Sequence, residues 1–332
     1  MSLFEPLLAW YGANARALPW RATAEPYAVL VSETMLQQTR AAVVTAYFPR
    51  FLAAFPTPAA LAAATKDELH ALWQGLGYYR RAANLQRAAQ TVAAAGAFPS
   101  AHDGILRLPG VGAYTAGAVA SICFNLPTPA VDGNVLRVAA RLRADGRDVR
   151  LPAVAADVRA WLTPYYEATE NRGMLTQALM ELGACVCVPG LPKCGACPLA
   201  AACRAGAEGT QNALPVRGKA KARTAERLTV FVLAAGDEVA FTKRGEAGLL
   251  AGLWQLPNVP GHLSDAEAVA WVEALGVRPL LLYMKNTVHI FTHREWHMRV
   301  FGFRLDGPVP PFTWAAAPAR PPLPSAFAKL LP

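Results

Sequence analysis

Four cysteines close together in the sequence are the residues whose type and spacing point most directly to chemistry. They are Cys187, Cys194, Cys197 and Cys203, in the spacing C-x6-C-x2-C-x5-C. Proline and glycine residues interrupt this segment, so the chain can fold back around one centre. Four thiolates can hold either a structural zinc ion or an iron–sulfur cluster, and the spacing alone leaves both open.

Two acidic residues lie in contexts that suit acid–base chemistry. Glu33 lies in an apolar helical stretch, where burial would raise its pKa and keep a proton available near neutral pH. A helical glutamate is otherwise usually a solvated surface residue. Asp132 precedes a helical pattern, so it is expected to cap that helix, a role compatible with catalysis. One protonated and one ionised carboxyl are what cleavage of an N-glycosidic bond requires.

The segment 108–117, with the sequence LPGVGAYTAG, predicts a tight turn that opens a helix. The glycines at Gly110 and Gly112 would let the backbone approach an anion closely, and a helix N-terminus presents free N–H groups to it. An ordinary turn between two core helices is the alternative interpretation of this segment.

The composition limits the class of protein. The 332 residues favour two domains, and the 32 Lys and Arg against 23 Asp and Glu give a net charge of +9. Such a surplus is compatible with nucleic acid or with an anionic membrane surface. The longest uncharged run, 108–131, is broken by prolines and glycines, so we expect no membrane helix and a cytoplasmic location. Disulfides are unusual in the cytoplasm, so the six cysteines require another explanation.

Periodicity divides the chain into a helical part and a mixed α and β part. Residues 1–212 are predicted to be helical, 213–227 form a basic linker, and 228–332 form a smaller second domain. We predict a turn near Pro49 and helices over 66–73, 80–95, 115–124 and 135–142. In the second domain we predict strands over 228–235, 238–242 and 295–305, a helix over 265–275 and a short last helix.

Five ordered strings resemble the MutY-type adenine DNA glycosylases of the endonuclease III superfamily: LPWR at 18–21, SETMLQQT at 32–39, GLGYYRRAANL at 75–85, LPGVGAYTAGAVAS at 108–121 and VDGNVLRV at 131–138. The cysteine spacing and its flanking KCGACPLAAAC resemble them too, so the match covers nearly all of residues 1–205. The resemblance implies a mostly α helix-hairpin-helix glycosylase with a [4Fe–4S] cluster in the loop 187–203. The hairpin would grip the DNA backbone through Gly110 and Gly112.

The resemblance also implies roles for single residues. Glu33 would be the proton donor and Asp132 the stabiliser of the oxocarbenium ion or the nucleophile, with support from Tyr114 and Asn134. Trp20, Arg21 and Glu181 would line the adenine pocket, and Gln38 and Tyr78 would wedge into the duplex beside the oxidised guanine. As alternatives, Trp20 and Tyr78 could be plain core aromatics, and Asn134 could only complete the helix cap.

The second domain resembles the Nudix-like C-terminal domain of the same family, and residues 243–257 carry this resemblance. The glutamate run that a Nudix hydrolase needs for Mg²⁺ is absent from the sequence, so we expect no pyrophosphohydrolase activity. Phe291, Thr292 and His293 resemble the family's Phe-Ser-His loop, whose serine contacts the oxidised guanine. Threonine keeps the hydroxyl and adds a methyl group.

Taken together, the resemblance implies a monofunctional enzyme that excises adenine opposite 8-oxoguanine or guanine in double-stranded DNA during base excision repair. A monomer associated with the nucleoid of a bacterial cytoplasm is expected. Tyr114 stands where bifunctional relatives carry a Schiff-base lysine. Three alternatives stay open: a bifunctional pyrimidine-damage glycosylase and lyase, a catalytically silent DNA-binding scaffold, and a zinc protein with a nucleotide-hydrolase domain.

Overall fold

The computed structural model describes residues 3–218, 222–245 and 247–331. Its contacts divide the chain into two compact units, one of Met1–Ala64 with Arg80–Lys219, the other of Thr65–Tyr79 with Ala220–Pro332. The predicted boundaries did not anticipate that 65–79 groups with the C-terminal unit. Residues 219–221 of the predicted linker lie outside the described residues.

The helices follow one another along the chain as α1 (Glu5–Asn14), α2 (Pro26–Leu36), α3 (Ala41–Ala54), α4 (Pro58–Ala63), α5 (Lys66–Trp73), α6 (Arg80–Ala95), α7 (His102–Leu106), α8 (Ala113–Phe124), α9 (Gly133–Arg143), α10 (Pro152–Glu167), α11 (Arg172–Cys185), α12 (Arg204–Ala207), α13 (Asp265–Glu273) and α14 (Ser325–Ala328). The strands are β1 (Thr224–Ala235), β2 (Glu238–Lys243), β3 (Trp254–Gln255), β4 (Asn258–Pro260), β5 (Leu280–Ile290), β6 (Arg294–Arg304) and β7 (Thr313–Ala316).

Local signals set the bounds of several helices. Helix α5 begins with a capping box, in which the Thr65 hydroxyl accepts from the Glu68 N–H and the Glu68 carboxylate accepts from the Thr65 N–H. Helix α6 ends before Gly96, whose φ of 75° is in the left-handed region that glycine tolerates. Both helices have the predicted bounds, and α8 and α9 begin two residues before their predicted starts.

The turn predicted near Pro49 is wrong. Pro49 lies inside α3, and the chain instead breaks between α2 and α3, where Gln37 is the C-cap of α2 and Arg40 is extended. Gln38, between them, has a φ of 60°. A left-handed residue cannot continue a right-handed helix, so the break falls there rather than at the proline.

One buried cluster of the first unit is built from α1, α9, α10 and α11, with Phe4, Val135, Leu162 and Leu179 among its side chains. Helix α11 comes very close to the start of α9, because a Cβ at Gly183 would lie 2.6 Å from the Cβ of Asn134. The absence of a side chain at Gly183 therefore sets the distance between these two segments.

The second unit contains a mixed sheet in the order β3-β2-β1-β6-β5, with β4 paired to β1 and β7 paired to β2. Strands β1 and β6 run parallel, and the other pairs are antiparallel. Trp296, Met298 and Val300 share one buried cluster, as their predicted alternation requires. Strand β1 starts four residues before its predicted start, since residues 224–227 already pair with 294–297.

Within the residues that the structure describes, no helix is both long and apolar enough to cross a bilayer.

Candidate active site

Helix α2 places Glu33 in the interior of the first unit. The helix is capped by Glu25, whose carboxylate accepts from the Ala28 N–H at 2.7 Å, and every residue from 27 to 35 is buried. Glu33 is only 5% exposed. The burial that the apolar neighbours of this glutamate predicted is present in the structure.

The pKa of Glu33 is raised to about 7, mainly because burial penalises the charged carboxylate. A hydrogen bond donated by the Tyr114 hydroxyl to Glu33 Oε2 opposes the rise, and the charge of Asp132 adds to it. Burial also raises the pKa of Tyr114 well above its usual value, so this group stays a neutral donor. Glu33 can therefore carry a proton at neutral pH.

Asp132 is the N-cap of α9, as predicted. Its Oδ1 accepts from the Val135 N–H at 2.7 Å and its Oδ2 accepts from Asn134 Nδ2 at 2.9 Å. Burial raises the pKa of Asp132, while these two hydrogen bonds and the charge of Arg137 oppose that rise. Both carboxylate oxygens face donors, an arrangement that favours the ionised form.

Glu181 is a third buried carboxylate, on α11. Burial raises its pKa, but hydrogen bonds from Arg16 and Arg21 outweigh this effect and lower the pKa to about 2. Arg16 donates through Nε and Nη2, both at 2.7 Å, and Arg21 donates through Nη2 at 2.7 Å. Glu181 is thus fixed as an anion between two guanidinium groups.

One cavity joins these groups. Its volume is about 390 Å³, within the roughly 300–1,000 Å³ usual for small-molecule sites. Trp20 lines one wall, 8% exposed and edge-on to Phe48 at 6.0 Å. The cavity brings together seven residues predicted from the sequence: Trp20, Arg21, Glu33, Tyr114, Asp132, Asn134 and Glu181.

The two predicted wedge residues do not line this cavity. Gln38 and Tyr78 are exposed, and both have a left-handed backbone, with φ of 60° and 49°. Such a conformation is uncommon for residues other than glycine and tends to occur at functional sites. Both residues thus present exposed side chains from constrained turns.

The loop between β5 and β6 consists of Phe291, Thr292 and His293. Its ends are closed by a hydrogen bond from the Phe291 N–H to the Arg294 carbonyl at 2.8 Å, and the Phe291 ring packs edge-on to Trp296 at 4.9 Å. Thr292 Oγ1 lies 2.6 Å from the Tyr78 hydroxyl. Tyr78 and Thr292 were both predicted to lie near the oxidised guanine. They are far apart in the sequence, and within the second unit they lie in contact.

The predicted hairpin lies between α7 and α8. Gly110 has a φ of 76°, and a Cβ there would overlap the side chain of Asn84, so the turn requires glycine on both counts. Gly112 is the N-cap of α8, and that helix carries Tyr114 in its first turn. The hairpin and one catalytic candidate, Tyr114, are therefore held by the same helix.

Two of the four cysteines, Cys187 and Cys203, lie against Arg141 of α9. Arg141 Nη1 lies 3.3 Å from Cys187 Sγ, and Cys203 Sγ lies 3.5 Å from the Arg141 carbonyl oxygen. Burial raises the pKa of Cys197, and the charges of the other three cysteines raise it further. Four cysteine sulfurs are a donor set of the type that binds zinc or an iron–sulfur cluster. Among the described residues, no three His, Cys, Asp or Glu side chains are arranged to hold a metal ion.

Two arginines of the site escaped the sequence analysis. Arg16 is 165 residues away from its partner Glu181 along the sequence, and no local sequence pattern predicts that ion pair. Arg137 donates through Nη2 to Asn134 Oδ1 at 2.8 Å and through Nε to the Cys187 carbonyl at 2.7 Å. Its spacing of three residues from Asn134 on α9 was the available signal.

Two family descriptions match the chain in succession. Residues 31–162 match the HhH-GPD superfamily of base excision DNA repair proteins, and residues 229–332 match the NUDIX domain. The human adenine DNA glycosylase is 34% identical over 369 residues, which cover 92% of this chain and 67% of the relative. The Buchnera aphidicola (Acyrthosiphon pisum) adenine DNA glycosylase is 30% identical, covering 90% of this chain and 85% of the relative.

The chain belongs to the adenine DNA glycosylase family.

Solved structures support the fold of the helical part of this adenine DNA glycosylase family member. A thermostable thymine-DNA glycosylase is 26% identical with a TM-score of 0.54, covering 61% of this chain and 94% of that chain. Endonuclease III in a non-covalent DNA complex is 26% identical with a TM-score of 0.51, covering 62% and 95%. The predicted family, the fold class of a helical region followed by a Nudix-like domain, and the prediction of a DNA glycosylase enzyme are confirmed.

Proposed function

We propose that this chain removes adenine paired with 8-oxoguanine or guanine from double-stranded DNA, by acid-assisted cleavage of the N-glycosidic bond without strand cleavage. The relatives named adenine DNA glycosylase supply the substrate class. The observation that carries the proposal is Glu33, buried in a cavity shared with Asp132 and with its pKa raised to about 7.

Glu33 is the proposed acid. Tyr114 donates to its Oε2, so the proton is held on Oε1 and is available to a base in the cavity. Transfer of this proton to N7 of adenine turns the purine into a neutral leaving group. The bond between N9 and C1′ then breaks, and its electron pair goes to the base.

Asp132 is the proposed stabiliser of the sugar. Loss of the base leaves an oxocarbenium-like centre at C1′, and an ionised carboxylate nearby lowers the energy of that centre. The donors Asn134 and Val135 keep both carboxylate oxygens oriented. Addition of water at C1′, with its proton passing to the Glu33 carboxylate left by the first transfer, completes an abasic site. Tyr114 has no amine with which to form a Schiff base.

Trp20, Arg21 and Glu181 are the proposed purine site. The indole ring offers an apolar wall, and Glu181, whose carboxylate accepts from Arg16 and Arg21, holds Arg21 at the cavity wall. Because a paired adenine is out of reach of this cavity, the nucleotide must first leave the stack, at a cost of a few kcal/mol that a mispair lowers. Gln38 and Tyr78 are the proposed wedges.

Single-turnover adenine release tests the reaction. The unmutated chain should release adenine from duplexes with 8-oxoguanine or guanine opposite, faster with 8-oxoguanine, and should leave the strand intact without added base. The rate should fall as the pH rises above about 7, since ionised Glu33 has no proton to give.

In the same assay, Glu33→Gln should lower the rate at least ~10²-fold while duplex affinity stays within threefold, because only the proton is lost. Glu25→Gln, at the exposed cap of the same helix, is the matched control and should retain the rate. A Glu33→Gln rate near that of the unmutated chain would show that the acid has been misassigned.

The loop 291–293 of the second unit is the proposed reader of the opposite base. Thr292 offers an exposed hydroxyl, and Tyr78 lies within hydrogen-bond distance of it. A hydroxyl can donate to or accept from the groups that distinguish oxidised guanine from guanine. The second unit would thus supply discrimination, and the first unit the chemistry.

Thr292→Val tests this division, since valine keeps the shape of threonine and removes the hydroxyl. The ratio of adenine-release rates opposite 8-oxoguanine and opposite guanine should fall several-fold, with the rate opposite guanine unchanged. Thr313→Val, an exposed threonine on β7, should leave the ratio as it was. A parallel fall of both rates would contradict the assignment of lesion reading to Thr292.

Cys187, Cys194, Cys197 and Cys203 are the proposed ligands of a [4Fe–4S] cluster, whose chemistry when bound is to cross-link this loop. The proposal is supported by the contacts of Cys187 and Cys203 with Arg141, and by the charges of Cys187, Cys194 and Cys203, which act on Cys197. Protein purified without oxygen should contain about four irons per chain and absorb visible light. About one zinc atom per chain, with no visible absorption, would contradict the cluster and indicate a structural zinc site instead.

A further inference from the structure

Arg81 is a buried arginine that the proposed reaction does not use. It lies in the first turn of α6 and is 9% exposed. A cation at a helix N-terminus opposes the helix dipole, and a buried guanidinium is costly unless its donors are satisfied. The reason for this placement must therefore lie in the groups that Arg81 contacts.

Those groups are at the end of α2 and in the turn that follows. Arg81 Nη1 donates to the carbonyl oxygens of Thr34 at 2.8 Å and Met35 at 2.9 Å, and also to that of Gln37. Its Nη2 donates to Thr39 Oγ1 at 3.1 Å. The last carbonyls of a helix have no partners within the helix, and here one arginine supplies them.

The residue enclosed by these contacts is Gln38. Arg81 bonds to the residue on each side of it, and the Thr39 N–H donates to the Leu36 carbonyl at 3.2 Å. Gln38 itself is exposed, with a φ of 60°. A glutamine keeps a left-handed backbone only where its surroundings fix that conformation, and Arg81 is the charged group that fixes it.

We propose that Arg81 is a positioning residue for nucleotide extrusion, which holds the turn 37–39 so that Gln38 points at the duplex. The inference rests on the proposed function, because Gln38 acts as a wedge only if the enzyme extrudes adenine. Thr34 directly follows Glu33, so the same contacts also fix the end of the helix that carries the acid. In this role Arg81 acts on the duplex through Gln38.

A double-mutant cycle on extrusion tests this role. The full chain carries Glu33→Gln, so that bound adenine stays attached, and the duplex carries 2-aminopurine beside the adenine opposite 8-oxoguanine. Stopped-flow fluorescence then reports the extrusion rate. We expect Arg81→Lys and Gln38→Ala each to slow extrusion roughly tenfold, and the double variant to be no slower than about tenfold.

The matched control is Arg80→Lys, at the exposed arginine that directly precedes Arg81. This substitution should leave the extrusion rate unchanged. Non-additivity is the decisive readout, because a general loss of structure would not depend on the presence of the Gln38 side chain. A double variant about a hundredfold slower would overturn the proposal. If thermal melting shows that Arg81→Lys is unfolded, Thr39→Val takes its place in the cycle, since it removes only the Nη2 bond.

Adenine release by the unmutated chain separates this inference from the proposed function. Normal release with additive losses in the cycle would overturn the role of Arg81 alone. Absent release with normal extrusion and non-additive losses would contradict the proposed chemistry and support the role of Arg81. No fluorescence change in the Glu33→Gln parent would overturn the role of Arg81, and together with absent release it would overturn the proposed function as well.

Discussion

The desolvation of Glu33 is the constraint on which the rest of the site depends. A carboxyl group inside a fully buried stretch of helix must either meet a cation or keep its proton. Glu33 receives its hydrogen bond from a phenol, Tyr114, instead of from a guanidinium group, and its pKa stays raised. The cap of α9 places the charge of Asp132 near this group, and the tight packing of α11 on Asn134 fixes the start of that helix.

Three carboxyls in one cavity differ because their donors differ. Glu181 is paired with two arginines and has a pKa of about 2, whereas Asp132 is held by an amide and a backbone N–H. Glu33 has the weakest compensation for its burial. Environments that separate the pKa values of neighbouring acids are how one site can hold both a proton donor and an anion.

Sequence reasoning succeeded where the signal was local. The bounds of α5 and α6, the cap at Asp132 and the alternation of β6 follow from residues a few positions apart. It failed where tertiary structure decided the outcome. Strand β5 was not predicted, because its start, Leu-Leu-Leu-Tyr-Met, does not alternate and its register contains a bulge.

The same limit applied to the site. The residues that carry recognisable motifs were identified, and the cavity assembles seven of them. The arginines that tune and position them were missed, since Arg16 and Arg81 act on residues about 165 and 45 positions away. The turn was wrongly predicted at Pro49 for a related reason. The break after α2 is stabilised by Arg81, which lies on another helix, and no residue near the break indicates that contact.

The most direct test of this account is the pKa of the Glu33 carboxyl itself. Isotope-edited infrared spectra of the full chain, with Glu33→Gln subtracted to isolate the signal, follow the protonated carboxyl band as the pH is raised. We expect a band that disappears with a midpoint near pH 7. The frequency of this band should shift when Tyr114→Phe removes the donated hydrogen bond. A midpoint near 4.5, the ordinary value for glutamate, would contradict this account.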